Sequence, residues 1–99
     1  MKRIEYFRKV MNVVTELTEV EEQDILGKSK KADAVDARWL VVRLMKDYGF
    51  STQQMIPLLC HPERTINHIL SEFDERVKYS MNGLGNTLAI ARQMLGNNS

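Results

Sequence analysis

The chain has 99 residues, a net charge of +1 and one cysteine. That length suits one domain with a modest core that needs no staple, and Cys60 alone excludes an internal disulfide, as fits a reducing cytoplasm. No apolar run is long enough to cross a bilayer, and Met1-Lys2-Arg3 leads into a charged amphipathic segment, not a signal-peptide pattern.

Ile4, Phe7, Val10, Met11, Val14 and Leu17 recur at helical spacing and predict a helix over 3–17. Thr18 with Glu21 is a capping-box pattern. A short helix should follow, ending near Leu26 with Gly27 as its stop. Residues 28–31 form a basic loop. Asp33 is placed to N-cap a long helix that runs to about Tyr48 and is closed by Gly49. Val35, Trp39, Val42 and Met45 line one side of it, with Ala37, Val41, Leu44 and Tyr48 nearby. So wide an apolar arc makes it the central, most buried helix, and Trp39 is expected in the core, not as a ligand platform.

Ser51 and Gln54 form a second capping box, opening a helix that closes at Leu58 and Leu59. Pro57 falls in its interior, where proline costs about 3 kcal/mol. The helix is therefore bent there or begins nearer Gln54. Cys60 and His61 make a turn, and Pro62 suits the first position of the next helix. Ile66, Ile69, Leu70, Phe73 and Val77 form that helix's apolar stripe. Glu63, Arg64, Asn67, His68 and Ser71 fall on its other face. Residues 82–86 hold two glycines and should bend. Leu84, Leu88, Ala91 and Leu95 mark a last helix, and the tail 96–99 should fray. No segment alternates as a strand does. The expectation is all-α, six helices, one domain over 1–99 with its core in 3–95.

Net charge hides a segregation. Glu16, Glu19, Glu21, Glu22 and Asp24 form an acidic patch. Lys28, Lys30, Lys31, Arg38, Arg43 and Lys46 then face only Asp33 and Asp36 within the same stretch. Two short helices joined by a tight turn, the second opening on Arg, Thr, Asn and His, are how a helix-turn-helix presents side chains to the DNA major groove. The same pair of helices also occurs in all-α domains that never meet DNA.

The order of these elements resembles the C-terminal DNA-binding domain of the bacterial replication initiator DnaA. Ile25-Leu26-Gly27-Lys28 is similar to the family's LL-S-K lead into a basic loop. Asp36-Ala37-Arg38-Trp39-Leu40, on to Leu44 and Lys46, resembles its R-P-R-Q-M…L-x-K helix. Residues 51–59 are similar to its S-L-x-E-I-x-x-x-F helix, and Thr65-Ile66-Asn67-His68 to its T-V-x-H. The likeness covers most of residues 7–95. It implies a Trp-repressor-like helix-turn-helix that recognises a short duplex box. Two departures stand out. The family's G-G-R-D-H-T-T-V is one residue shorter here. With the deletion in the turn, His61 falls at the family's arginine, and Glu63 and Arg64 at its His and first Thr. A deletion inside the helix would rotate later side chains by about 100°. Ser29 stands where the family often has a minor-groove arginine, so Lys30 or Lys31 would supply the charge.

The base-contact candidates are therefore His61, Glu63, Arg64, Thr65, Asn67 and His68. Arg64 leads them, because Arg to guanine is the commonest specific pairing. Asn67 suits adenine, and His68 is expected to bond within the domain more than to a base. Glu63 is repelled by phosphate unless it accepts from cytosine N4. Lys28, Ser29, Lys30, Lys31, Arg38 and Ser51 are the phosphate or minor-groove candidates. Cys60, His61 and His68 lack a fourth ligand for zinc, and Cys60 beside His61 lacks an orienting group for nucleophilic catalysis. Gly27-Lys28-Ser29 lacks the upstream glycine of a phosphate-binding loop. The chain is expected to be a non-enzyme without cofactor or metal, cytoplasmic, with double-stranded DNA as partner in transcriptional or replication control. The alternative is a module of the same fold that docks on a regulatory or replication protein, or on itself, and no longer binds DNA.

Overall fold

The computed structural model describes residues 2–80 and 83–96, which contain six helices and no strand. They are α1 (Arg3–Thr18), α2 (Glu22–Leu26), α3 (Ala32–Tyr48), α4 (Thr52–Leu59), α5 (Glu63–Tyr79) and α6 (Leu84–Gly96). α3 packs against each of the other five. Its wide apolar arc is the reason: Ala34, Ala37, Leu40, Val41, Val42, Leu44 and Met45 are all buried. α1 brings Phe7, Val10, Met11 and Val14 to the same core, and α5 brings Ile66, Ile69 and Phe73. Trp39 is only half-buried at the edge of this core, with the Arg76 guanidinium 4.9 Å above its ring.

The helix ends test the capping patterns one by one. Ser51 and Gln54 form the expected box: the Gln54 N–H donates to Ser51 Oγ, and the Ser51 N–H donates to Gln54 Oε1. Thr18 and Glu21 do not. Thr18 is still helical, and its hydroxyl donates to the Val14 carbonyl at 2.7 Å. The chain turns at Glu19 (φ 60), and α2 starts only after Glu21. Lys31, not Asp33, is the N-cap of α3. Asp33 instead sits in the first turn, where its carboxylate accepts from the Ala34 N–H and faces the positive end of the helix dipole. Pro62 is the N-cap of α5, one place earlier than expected, and Glu63 is its first residue.

Pro57 neither ends nor shortens α4, which starts at Thr52 and continues to Leu59. The proline is exposed, so water can serve the carbonyl it leaves unbonded. The expected bend over 82–86 is confined to its beginning. Gly83 has φ +71 and α6 starts at Leu84, so Gly85 and Asn86 are helical. Asn82 and the tail beyond Gly96 lie outside the described residues.

Gly27 stops α2 for a different reason from Gly49. Its φ is −85, which any residue adopts, but a Cβ there would meet the Gln23 carbonyl oxygen at 2.8 Å. Gly49 has φ 114, and its N–H donates to Lys46 O and Met45 O. A Cβ at Gly49 meets nothing within 4 Å. Gly49→Ala therefore isolates backbone strain of about 1–2 kcal/mol, and thermal unfolding should move down by at least about 4 °C. An unshifted midpoint would mean that the loop after α3 relaxes freely.

Candidate nucleic-acid interface

α4 and α5 meet through a three-residue turn, residues 60–62, with Cys60 in the left-handed conformation (φ 60). Side chains lock the first turn of α4 to the first two turns of α5. The Thr52 hydroxyl donates to Asn67 Oδ1 at 2.9 Å, and Gln53 Nε2 donates to Glu63 Oε2 at 3.1 Å. Neither Thr52 nor Gln53 stands out in the sequence, where they are two polar residues after a cap. Their partners lie 10 and 15 residues away, on a different helix.

The basic loop is held against this unit from two sides. From α3, Arg38 Nε donates to the Ile25 carbonyl at 2.8 Å. Its Nη2 donates to the Asp24 and Ser29 carbonyls at 2.9 and 3.2 Å. Asp24 and Ile25 belong to the last turn of α2, whose carbonyls have no helical partner and whose dipole end favours a cation. Arg38 is 7% exposed, and burial lowers its pKa. From the turn, the His61 ring packs beside Leu26 and Gly27 and is 8% exposed. Burial lowers the His61 pKa, and the charges of Arg38 and Lys28 lower it further. The backbones of Gly27 and Leu26 pull the other way. Neither gives Nε2 a hydrogen bond of ordinary geometry, and that atom is buried without a partner.

Two expectations change as a result. Arg38 is not a surface phosphate contact, because all its bonds go to backbone carbonyls inside the domain. His61 is not at the surface to meet a base; it is a wedge between the turn and the loop. Ser29 is half-buried, its carbonyl on Arg38 and its hydroxyl accepting from the Lys31 N–H at 3.4 Å. Its side chain stiffens the loop and does not extend from it. The Ser51 hydroxyl is occupied as the cap of α4.

The other candidates lie on the outside. Lys28, Lys30 and Lys31 are exposed, and none forms an ion pair among the described residues. Arg64 is exposed and likewise unpaired. By contrast Arg8, Arg43, Arg76 and Arg92 all hold carboxylates. Glu63, Asn67 and His68 are exposed along the same helix, and Thr65 is half-buried at its flank. The His68 ring meets Trp39 edge-on, centroids 5.9 Å apart, and among the described residues makes no hydrogen bond through its side chain. Further along α5 the exposed charge turns negative at Glu72, Asp74 and Glu75. Among the described residues, no three His, Cys, Asp or Glu side chains are grouped to hold a metal ion.

No helix of the described residues is long and apolar enough to cross a membrane. Compared with protein-family models, curated proteins and solved structures, the chain matches none.

The two buried side chains have separable tests. Arg38→Met leaves three carbonyls without their donor and should cost roughly 3 kcal/mol of stability, whereas Lys30→Ala should cost nearly nothing. Urea unfolding of the two variants distinguishes them; equal loss would place Arg38 back at the surface. For His61 the folded pKa lies below the unfolded 6.5, so the unfolded chain binds the proton first. Stability is full above that value and declines as pH falls beneath it, until the folded pKa is reached. His61→Phe should flatten this part of the curve, the decline below about pH 6.5. A slope unchanged in the variant would assign the acid sensitivity to other groups.

Proposed function

We propose that this chain binds double-stranded DNA sequence-specifically through the helix-turn-helix α4–α5, in transcriptional or replication control, with a Trp-repressor-like arrangement similar to the DnaA C-terminal domain. The observation that carries the reading is the pairing of free and committed cations. Five arginines are consumed inside the molecule, while Lys28, Lys30, Lys31 and Arg64 are exposed and unpaired. The three lysines belong to a loop that Arg38 and His61 clamp beside the turn leading into α5. Cations held in place without partners suit phosphates, which supply the salt-dependent part of the affinity.

In this reading the first two turns of α5 enter the major groove and the loop lies on the adjacent backbone. Glu72, Asp74 and Glu75 limit the contact to those turns, because a helix laid along its full length would bring carboxylates against phosphate. Arg64 reads guanine. Glu63 is less hostile than its charge suggests, since Gln53 already bonds one oxygen and the other remains to accept from a cytosine amine. With no nucleotide-binding loop in its sequence, the chain would act by binding alone, in the cytoplasm.

A second reading rests on the other end of α5. Trp39, Tyr79, Glu72, Glu75, Asp36 and Arg76 line an open groove of about 420 Å³, and Tyr79 is 69% exposed. Exposed aromatic surface with acidic flanks suits a protein partner, in a module that keeps the fold and does not bind DNA.

Selection from randomised duplex DNA, with the winner titrated at two salt concentrations, separates the two. An enriched motif of about one helical turn, with affinity falling steeply in salt, supports the DNA reading. Arg64→Ala should then relax one position at a cost of about 1–3 kcal/mol, whereas Lys30→Ala should weaken every sequence alike and reduce the salt slope by about one. No enrichment would discard the DNA reading and favour the groove.

A further inference from the structure

Asn67 is the residue on α5 whose reading of a base is decided by another helix. An asparagine that takes adenine uses both ends of its amide: Oδ1 accepts from N6 and Nδ2 donates to N7. Here the accepting end is drawn toward α4, with one of its two lone pairs engaged. The Thr52 hydroxyl, from the first turn of α4, donates to Oδ1 at 2.9 Å. That bond fixes which way the amide faces and leaves Nδ2, a pure donor, as the group free to meet a base edge. Thr52 is half-buried and Asn67 is exposed, so the bond lies at the rim of the α4–α5 contact with the donor on the solvent side.

We infer that Thr52 is a specificity-determining positioning residue: by holding Asn67 Oδ1 toward α4 it presents Nδ2 outward and turns Asn67 from an adenine reader into a donor that prefers the acceptor edge of guanine. The inference rests on the DNA-binding reading above. Guanine presents N7 and O6, both acceptors, while adenine sets a donor beside its N7 and cytosine presents only a donor. A side chain that presents its donor outward is therefore matched best by guanine and worst by cytosine. Thr52 does this without touching the nucleic acid. Gln53, its neighbour, stands in the same relation to Glu63, so the first turn of α4 fixes the amide and the carboxylate that α5 presents.

The test is selection from randomised duplex DNA with the wild-type chain and with Thr52→Val, which removes the hydroxyl and keeps the shape. The wild type should enrich a motif with guanine at the Asn67 position, the position whose preference Asn67→Ala abolishes. Thr52→Val frees Oδ1, and the preference for guanine over adenine there should fall at least about fivefold, with the other positions and the salt slope unchanged. In the Asn67→Ala background, Thr52→Val should change nothing at that position. Asn67→Asp gives a second route that does not depend on Thr52→Val folding. It keeps an acceptor for Thr52 and replaces the outward donor with an acceptor, so preference should move to cytosine. A wild-type motif left unaltered by Thr52→Val, or guanine retained by Asn67→Asp, overturns the inference while DNA binding stands. A wild-type chain that enriches nothing overturns the DNA reading itself, and this one with it.

Discussion

The guanidinium of Arg38 is the interaction on which the candidate interface depends. One buried cation collects three carbonyl oxygens, two from the last turn of α2 and one from the loop that follows. Burying a charge is unfavourable unless its hydrogen bonds are made, and here the backbone of a short helix end supplies them. The same bonds satisfy carbonyls that a five-residue helix cannot satisfy by itself. Because Arg38 is rooted in α3, which touches every other helix, the loop inherits the rigidity of the core. His61 completes the clamp from the far side, and its uncharged form is the one the joint accepts.

Around this clamp the charges of the domain divide into those that hold the fold and those that are free. Asp47 takes both Arg43 and Arg92, joining α3 to α6. Asp36 takes Arg76 at 2.7 Å beside Trp39, joining α3 to α5. Partly exposed ion pairs of this kind contribute little stability each, but they neutralise four arginines that would otherwise add to the positive potential of the surface. Of the cations without a carboxylate among the described residues, Lys28, Lys30, Lys31 and Arg64 flank the α4–α5 unit, while Lys2, Arg3, Lys9, Lys46 and Lys78 lie elsewhere in the sequence. A net charge near zero thus coexists with one patch able to engage an anionic surface.

Preorganisation runs through the first turns of α4 and α5. Ser51 and Gln54 close the start of α4, and Thr52 and Gln53 reach across to Asn67 and Glu63. Side chains that carry recognition are more exact when other side chains fix their rotamers. His68, the residue after Asn67, is held differently, by its edge on Trp39. The acidic end of the helix and the groove beside it are left for another use or for none.

By itself the sequence determined the helices and their order, because apolar spacing and local caps depend on neighbours within a few residues. The Ser51–Gln54 box, Gly49 as a stop and α3 as the central helix all follow from such short-range rules. Capping failed at Thr18, where α1 simply kept its last turn, and at Asp33, where α3 began two residues earlier. Those ends are decided by where the packed helix runs out, not by the capping residue. Arg38 and His61 were legible as polar residues near a basic loop but not as buried ones. Their burial comes from partners 9 to 14 residues away for Arg38, and from contact between the α4–α5 turn and the end of α2 for His61. The exposed cations of the loop and Arg64 could be named from sequence, since an unpaired surface charge needs nothing from the fold. Which polar atoms of Asn67 and Glu63 remain free was settled only by tertiary structure, because their partners sit on another helix and the crossing of the two helices decides the match.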